Sequence, residues 1–393
     1  MDHTGQVSFP TPDTGYVLPA GTTVLQVLPN LISGGVEQGV VDLNAGLVKA
    51  GMKSIAVSNG GPRVYDINKA GGIHIELHVH SKNPFTIWLN ARRLRRVIRE
   101  HKVDIVHAAS RAPAWSAARA VEGTGARFVT SCHAAHKISN GFKKTYNRAI
   151  TGGERVIAVS QFLGRYLHDS YGLARDKIRV IHRGVSLERF HPTRVSADRL
   201  IAVSNQMRMP EGASVIMLPG RLSRGKGHMV LLQALEQLKR SDLFCLFVGS
   251  DAGQEGYRRE LEAAINSAGL QQQCRIVTDC NDIPAAYMLA TVVVCPSLVA
   301  EGFGRIAIEA QAMGRPVIAS SHGGLAETLV DGSTGWLVKA GDAGALAAGI
   351  EKALALSDEE RAALATRAMS HVADHFTNTT MCQMTMAVYA EVL

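Results

Sequence analysis

The stretch AEGFGRIAIEAQAMGRPVIA, residues 300–319, decides the fold. Just before it, residues 291–295 (TVVVC) form a short β-branched apolar run stopped by Pro296, the pattern of a buried parallel strand. A polar loop carrying Gly302 and Gly304 follows. Ile306, Ile308, Ala310, Ala312 and Met313 then recur at helical spacing up to Gly314, and residues 316–319 start another strand. The spacing predicts a strand, loop, helix, strand unit. Its loop lies at the carboxyl end of the strand, where open α/β sheets bind ligands.

That loop has the parts of a phosphate and sugar site. Gly302 and Gly304 let backbone N–H groups approach an anion, and the helix starting near Gly304 turns its positive end to the same place. Glu301 precedes the helix and Glu309 lies within it. A carboxylate repels phosphate but accepts hydrogen bonds from sugar or ribose hydroxyls, so a pair of them suggests hydroxyl recognition. The alternative is a first-turn acid favoured by the helix dipole, with Glu309 on a solvated face.

Glu301-Gly-Phe-Gly followed by Glu309 resembles the Glu-x7-Glu motif of retaining GT-B glycosyltransferases, family 4. Gly314-Arg-Pro-Val-Ile-Ala, Gly323-Gly-Leu-Ala-Glu327 and residues 331–338 (DGSTGWLV) fit that family in order. So does Gly220-Arg-Leu-Ser-Arg-Gly-Lys226-Gly, which resembles its donor-phosphate motif. The resemblance covers nearly the whole chain and is densest from residue 215 to 338. It implies an α/β fold of GT-B type, two Rossmann-like domains facing each other across a cleft, with a nucleoside diphosphate sugar held mainly by the second.

The second half alternates strands and helices throughout. Residues 215–219, 243–249 and 274–278 read as strands, and helices are expected from Gly227 to Arg240, from Asp282, and over 342–356, 358–375 and 379–393. Arg221 and Lys226 are cations flanked by glycines, between a strand end and a helix start. A departing diphosphate needs such neutralising charge and close backbone. By the resemblance, Arg221 and Lys226 stabilise that diphosphate, helped by N–H groups near Phe303 and Gly304, with Gly220 and Arg305 in the same donor site. Glu301 holds sugar hydroxyls, Glu309 the ribose, and the Asp282-Ile283 joint lies against the base. Family members often carry Gly-x-Gly where this chain has Gly249-Ser-Asp-Ala-Gly253.

The first half reads as strands over 24–28, 53–58, 71–79, 103–108, 127–131 and 155–160. Gly34-Gly35 turns the first strand into a helix and either serves as a plain turn or brings backbone near a diphosphate or sugar. There is no dinucleotide fingerprint. His133 ends the fifth strand, ahead of a polar loop over 133–144. A histidine so placed is structural or reaches the site. The resemblance makes Gly34 and Gly35 donor-loop residues and gives His133, rather than His136, contact with the transferred sugar. Arg183, in His-Arg-Gly184, stands where the family commonly has Asn. Residues 190–212, polar with two prolines, read as the interdomain linker. The expected domains are thus 1–195, with 376–393 packing back on it, and 196–375.

Composition bounds the rest. With 46% hydrophobic and 19% charged residues over 393, the chain is an ordinary globular protein of two or three domains. No apolar stretch reaches a membrane-spanning length. Residues 1–15 read as a disordered tail and not a secretory signal. Six scattered cysteines fit reduced thiols, and without Asp-x-Asp or His-Glu-x-x-His nothing calls for a metal. No cofactor is expected.

Of the net charge of +8, residues 1–195 hold 26 Lys and Arg against 13 Asp and Glu, and the remainder is acidic. The helix over 85–101 carries Arg92, Arg93, Arg95, Arg96 and Arg99. It is either a solvated face or one that meets a membrane or polyanion. Few aromatics interleave with this charge, so nucleic acid is not expected as a partner.

These features lead to a retaining, metal-independent hexosyltransferase. Its partners are a nucleoside diphosphate sugar, a glycan or glycolipid acceptor such as bacterial lipopolysaccharide, and an anionic membrane surface. It is expected in the cytoplasm, peripheral to the inner face of the cytoplasmic membrane. A nucleotide-sugar 2-epimerase and a non-catalytic polyanion-binding protein stand as alternatives.

Overall fold

The computed structural model describes residues 8–32, 34–136 and 141–393. The chain divides into two compact units, Met1–Gly184 with Asn378–Leu393, and Val185–Thr377.

In the first unit β1 (Thr23–Val27) leads to α1 (Gly35–Lys49), β2 (Lys53–Ser58), α2 (Val64–Lys69) and β3 (Ile73–Glu76). The chain continues through α3 (Pro84–Glu100), β4 (Ile105–Ala108), α4 (Arg111–Val121), β5 (Arg127–Cys132) and α5 (Gly141–Asn147). It ends with β6 (Arg155–Ala158), α6 (Gln161–Tyr171) and β7 (Ile178–Val180). The strands form one parallel sheet in the order β3-β2-β1-β4-β5-β6-β7. All five residues of β1 are buried, as a strand covered on both faces requires.

The second unit runs α7 (Ala197–Met207), β8 (Ser214–Pro219), α8 (His228–Leu238), β9 (Leu243–Val248), α9 (Glu255–Ser267) and β10 (Cys274–Val277). Then come α10 (Ile283–Leu289), β11 (Val292–Cys295), α11 (Arg305–Ala312), β12 (Val317–Ser320), β13 (Trp336–Val338), α12 (Ala343–Leu354) and α13 (Asp358–His375). Its parallel sheet has the order β10-β9-β8-β11-β12-β13. Leu231, Phe247, Val292, Val294, Ile318 and Ile350 are central to its core. The last helix, α14 (Asn378–Ala390), packs on α1 in the first unit through Met381, Cys382 and Val388.

Both sheets reverse direction once. In the second unit β8 and β11 are neighbours although β9 and β10 lie between them in the chain. In the first, β1 and β4 are neighbours. Loops leaving the carboxyl ends of such a pair diverge and leave a crevice.

Three sequence expectations need correcting. Residues 190–212 are not an irregular linker: α7 occupies 197–207, with Val203 and Met207 buried. Arg199 ties the segment to Asp282, and Phe190 packs on Tyr287 6.2 Å away. These contacts assign residues 185–195 to the second unit, where the sequence had placed a boundary at 195. The prolines at 192 and 210 and the polar residues around them hid the apolar stripe of this helix. The described part of the expected tail is anchored as well. Phe9 is buried against Gly164, its N–H donates to the Gln161 side-chain oxygen Oε1 at 2.7 Å, and the Pro10 carbonyl accepts from the Val180 N–H. Residues 1–7 lie outside the described residues. Finally, α5 takes the end of the polar loop read over 133–144, of which 137–140 also lie outside them.

Candidate functional site

The reversal at β8 and β11 explains why two residues 75 positions apart meet. Lys226 Nζ donates to Glu301 Oε1 at 2.8 Å, with both side chains about three-quarters buried. Ser297 also donates its hydroxyl to Glu301 Oε1. A pocket at this point is lined by Pro219, Lys226, Ser297, Glu301, Gly304 and Leu325 among others.

Backbone contacts hold the two loops together. Gly227 has φ +79°, and a Cβ there would collide with the Pro296 carbonyl. The β8 loop therefore lies flush against the β11 loop. Gly323, at φ +66°, also lies close to the backbone of Glu301, whose carbonyl accepts from Gly324 at 2.8 Å. His322 Nε2 donates to the Ser297 carbonyl at 2.7 Å. The sequence reading assigned no site role to Ser297, His322 or Gly227. The signal for them lay in the glycines bracketing Lys226 and in Gly323-Gly324, which had been noted only as a motif.

The helix α11 starts at Arg305 with Gly304 as its N-cap, and no side chain caps it. Its first-turn N–H groups and positive end face the loop. Phe303 is buried and packs on Phe376, with ring centroids 5.7 Å apart. Arg221 is exposed, with no ion pair among the described residues. Gly220 follows β8, but its N–H bonds the Val248 carbonyl at 2.8 Å. This glycine therefore contributes shape and not a free donor to any ligand.

Glu309 does not lie on a solvated face. The phenol of buried Tyr287 donates to Oε2 at 3.1 Å, and Arg305 Nη2 donates to Oε1 at 3.1 Å. Burial, and then the charge of Glu309, push the Tyr287 pKa far up, so the phenol stays protonated and must be the donor. Arg305 Nε is buried with no hydrogen-bond partner among the described residues. Asp282 caps α10 through the Ala285 N–H and takes both arms of Arg199 at 2.6 and 2.7 Å. The Arg199 guanidinium holds its carboxyl below the ordinary range. With that side chain committed, Asp282 and Ile283 can offer a ligand chiefly their backbone.

The remaining candidates belong to the first unit. His133 follows β5, and its Nε2 is shielded from solvent with no hydrogen-bond partner among the described residues. Burial, then the charges of Arg183, His107 and His136, hold its pKa well below the usual histidine value. The ring is therefore neutral at pH 7. It lines a pocket with Gln26, Gly39, His107, Ser131 and Arg183. His107 bridges the Tyr389 hydroxyl, at 2.6 Å, and Ser131 Oγ. Burial, aided by Arg183, pushes its pKa down to about 3. Gly34 is the N-cap of α1 and Gly35 its first residue. His136 exchanges two backbone hydrogen bonds with the Tyr166 hydroxyl.

On α3, Phe85, Trp88, Arg92, Arg93, Arg96 and Arg99 are exposed, Phe85 by 70% and Trp88 by 41%. The Arg92 guanidinium lies 3.7 Å from the Trp88 ring centroid. Arg95 differs from its neighbours, bonding the carbonyls of Arg119 and Ala120. No helix among the described residues is long and apolar enough to cross a membrane.

Comparison with known proteins bears on what such a site does. Residues 202–371 match the family model "Glycosyl transferases group 1", and residues 33–189 match "Glycosyltransferase Family 4". The chain is similar to the crystal structure of a glycosyltransferase from Rickettsia africae, with 36% identity, a TM-score of 0.88, and coverage of 95% of this chain and 98% of that one. HepE of Anabaena, solved in complex with UDP-glucose, shares the fold: TM-score 0.80, 21% identity, 94% and 100% coverage. Spore coat protein SA of Bacillus subtilis is 26% identical over 78% of this chain and 81% of its own. The lipopolysaccharide 1,2-N-acetylglucosaminetransferase of Salmonella typhimurium is 32% identical over 56% of this chain. The match spans 57% of that relative's length.

Proposed function

This chain belongs to the group 1 glycosyltransferases, and from that premise we propose that it moves a hexose-type sugar from a nucleoside diphosphate sugar to an acceptor hydroxyl with retention at the anomeric carbon. The observation that carries this reading is the Lys226–Glu301 pair at the joined ends of β8 and β11, beside the uncapped start of α11.

In the proposed step the acceptor oxygen bonds to the anomeric carbon as the bond from that carbon to the diphosphate oxygen breaks. The departing phosphate oxygen takes the acceptor proton on the same face, so no protein base is required. Lys226 and Arg221 stabilise the charge growing on the diphosphate, and the first-turn N–H groups of α11 add to it. Glu301 accepts hydrogen bonds from sugar hydroxyls while its charge is balanced by Lys226. Glu309, fixed by Tyr287 and Arg305, accepts from the ribose. Backbone at Asp282 and Ile283 lies against the base. Neutral His133 hydrogen-bonds the transferred sugar, and Gly34 and Gly35 shape the donor loop. No metal takes part in this scheme.

The acceptor proposed is a glycan or glycolipid of a bacterial surface, such as lipopolysaccharide, reached from the cytoplasmic face of the membrane. The Arg-rich face of α3, with Phe85 and Trp88 at its start, supports peripheral contact with an anionic bilayer. The test is a screen of UDP-, GDP- and ADP-sugars for donor hydrolysis and transfer, with the product anomer assigned by NMR. Inverted product refutes retention. Conversion of the donor sugar to its 2-epimer without acceptor supports an epimerase instead.

A further inference from the structure

Helix α1 has an unusual fifth residue. A Cβ placed on Gly39 would overlap the guanidinium of Arg183, which lies directly on the helix backbone at that point. One turn earlier, Arg183 Nη2 donates to the Gly35 carbonyl at 2.7 Å. Arg183 lies three residues beyond the end of β7, which pairs with β6 in the same sheet as β1, and reaches α1 from there. Gly35 is the first residue of α1 and Gly34 its N-cap, and Gly34 is held at φ +149°.

A cation at a helix N-terminus opposes the helix dipole. Its placement there needs a compensating reason, and the bond to Gly35 supplies one. The guanidinium occupies the space a Cβ would take and offers several donors there, where a lysine would present only a point charge. Where the family pattern has Asn, the shorter, uncharged side chain does not offer that reach.

We propose that Arg183 is a positioning residue for the Gly34–Gly35 turn, and that Gly39 is the socket that admits it. The inference rests on the donor-loop role assigned above to Gly34 and Gly35. A loop shifted by about 1 Å can lose ~10² in rate without touching the reacting atoms itself.

The two residues can be separated by experiment, because each variant fails in a different way. Gly39→Ala displaces only the flexible end of Arg183 and raises helix propensity, so its Tm should equal or exceed that of the parent. Its kcat/KM for the donor should nevertheless fall by about tenfold or more, to the level of Arg183→Asn. In the Arg183→Asn background the socket is vacant, and adding Gly39→Ala should change kcat/KM by less than about twofold, a non-additivity expected of residues in direct contact. Amide hydrogen exchange over residues 34–38 should rise in both single variants.

Losses that multiply in the double variant overturn the proposal, as does unchanged exchange over 34–38 in both singles. A merely structural role predicts a lowered Tm with kcat/KM per folded molecule intact, which also overturns it. Raised exchange over 34–38 in both single variants at unaltered kcat/KM and unaltered Tm upholds the clamp and removes Gly34 and Gly35 from the donor site.

Discussion

Replacing Lys226 by Ala separates catalysis from folding, because the structure places different magnitudes on the two. Lys226 and Glu301 are 23% and 25% exposed. An exposed ion pair contributes about 0–1 kcal/mol, whereas stripping one partner from a buried pair costs about 3–5 kcal/mol. At a quarter exposed, and with Ser297 still donating to Glu301, the cost to folding should be about 1–2 kcal/mol. That corresponds to a fall in Tm of roughly 2–8 °C for a domain of this size. The catalytic loss is larger. Removing a preorganised group that stabilises developing oxyanion charge costs ~10²–10³ in turnover, about 2.7–4 kcal/mol. The assay is release of nucleoside diphosphate at saturating donor and acceptor, with Tm measured on the same preparation. Arg221→Ala supplies the contrast. Arg221 is exposed and unpaired among the described residues, so its removal should cost ~10² in turnover at an unchanged Tm. Turnover within about threefold of the parent in both variants would refute the diphosphate role. A collapse of Tm in Lys226→Ala well beyond the stated range would show that the pair serves the fold instead.

Glu309→Ala should raise the donor Kd with little effect on kcat, and should lower Tm because it leaves the buried Tyr287 phenol without an acceptor, a loss of about 1–3 kcal/mol. An unchanged donor Kd counts against the ribose role. Added EDTA should leave activity intact, since no three His, Cys, Asp or Glu side chains among the described residues cluster as a metal site requires. Loss on chelation and recovery with Mg²⁺ or Mn²⁺ would contradict this. Reversing Arg92, Arg93 and Arg96 to Glu should release the protein from anionic vesicles at physiological salt while sparing donor hydrolysis, each arginine near such a surface being worth ~1 kcal/mol. Equal co-sedimentation of parent and variant would end the membrane reading. Acid should weaken the first unit through His107. Its folded pKa, about 3, lies below the unfolded 6.5. Between those values the unfolded chain binds the extra proton, so the stability is complete above about pH 6.5 and is lost as pH falls towards 3. His107→Gln should flatten urea-derived stability between pH 7 and 5, and an unaltered slope would refute the assignment.

Much of this protein is readable from local pattern. A buried parallel strand needs only a short β-branched run, so residues 291–295 identify β11 by themselves. Helical periodicity with a terminal glycine does the same for α11. The alternation of such segments implies two doubly wound sheets. Glycine-flanked cations and an acid at strand ends mark Arg221, Lys226 and Glu301 as candidates, and the spacing from Glu301 adds Glu309 within the following helix. All of these signals span fewer than about ten residues. Where the surroundings masked the pattern, the local reading failed: the apolar stripe of α7 is set in a polar stretch between Pro192 and Pro210, and Phe9 gains its burial from a distant helix, α6.

What the tertiary structure decided is which distant residues share a site and what that does to each. Sheet order brings Lys226 to Glu301, because β8 and β11 are hydrogen-bonded neighbours although two strands intervene in the chain. Burial turns Glu309 from an apparently solvated helix residue into the acceptor of a buried phenol, and it keeps His133 and His107 uncharged. Only folding places Arg183 in the gap left by Gly39. The physical reason is common to these cases. Backbone preference acts between near neighbours in sequence, whereas desolvation, charge pairing and steric exclusion depend on separations in space, and the packing of the whole sheet sets those.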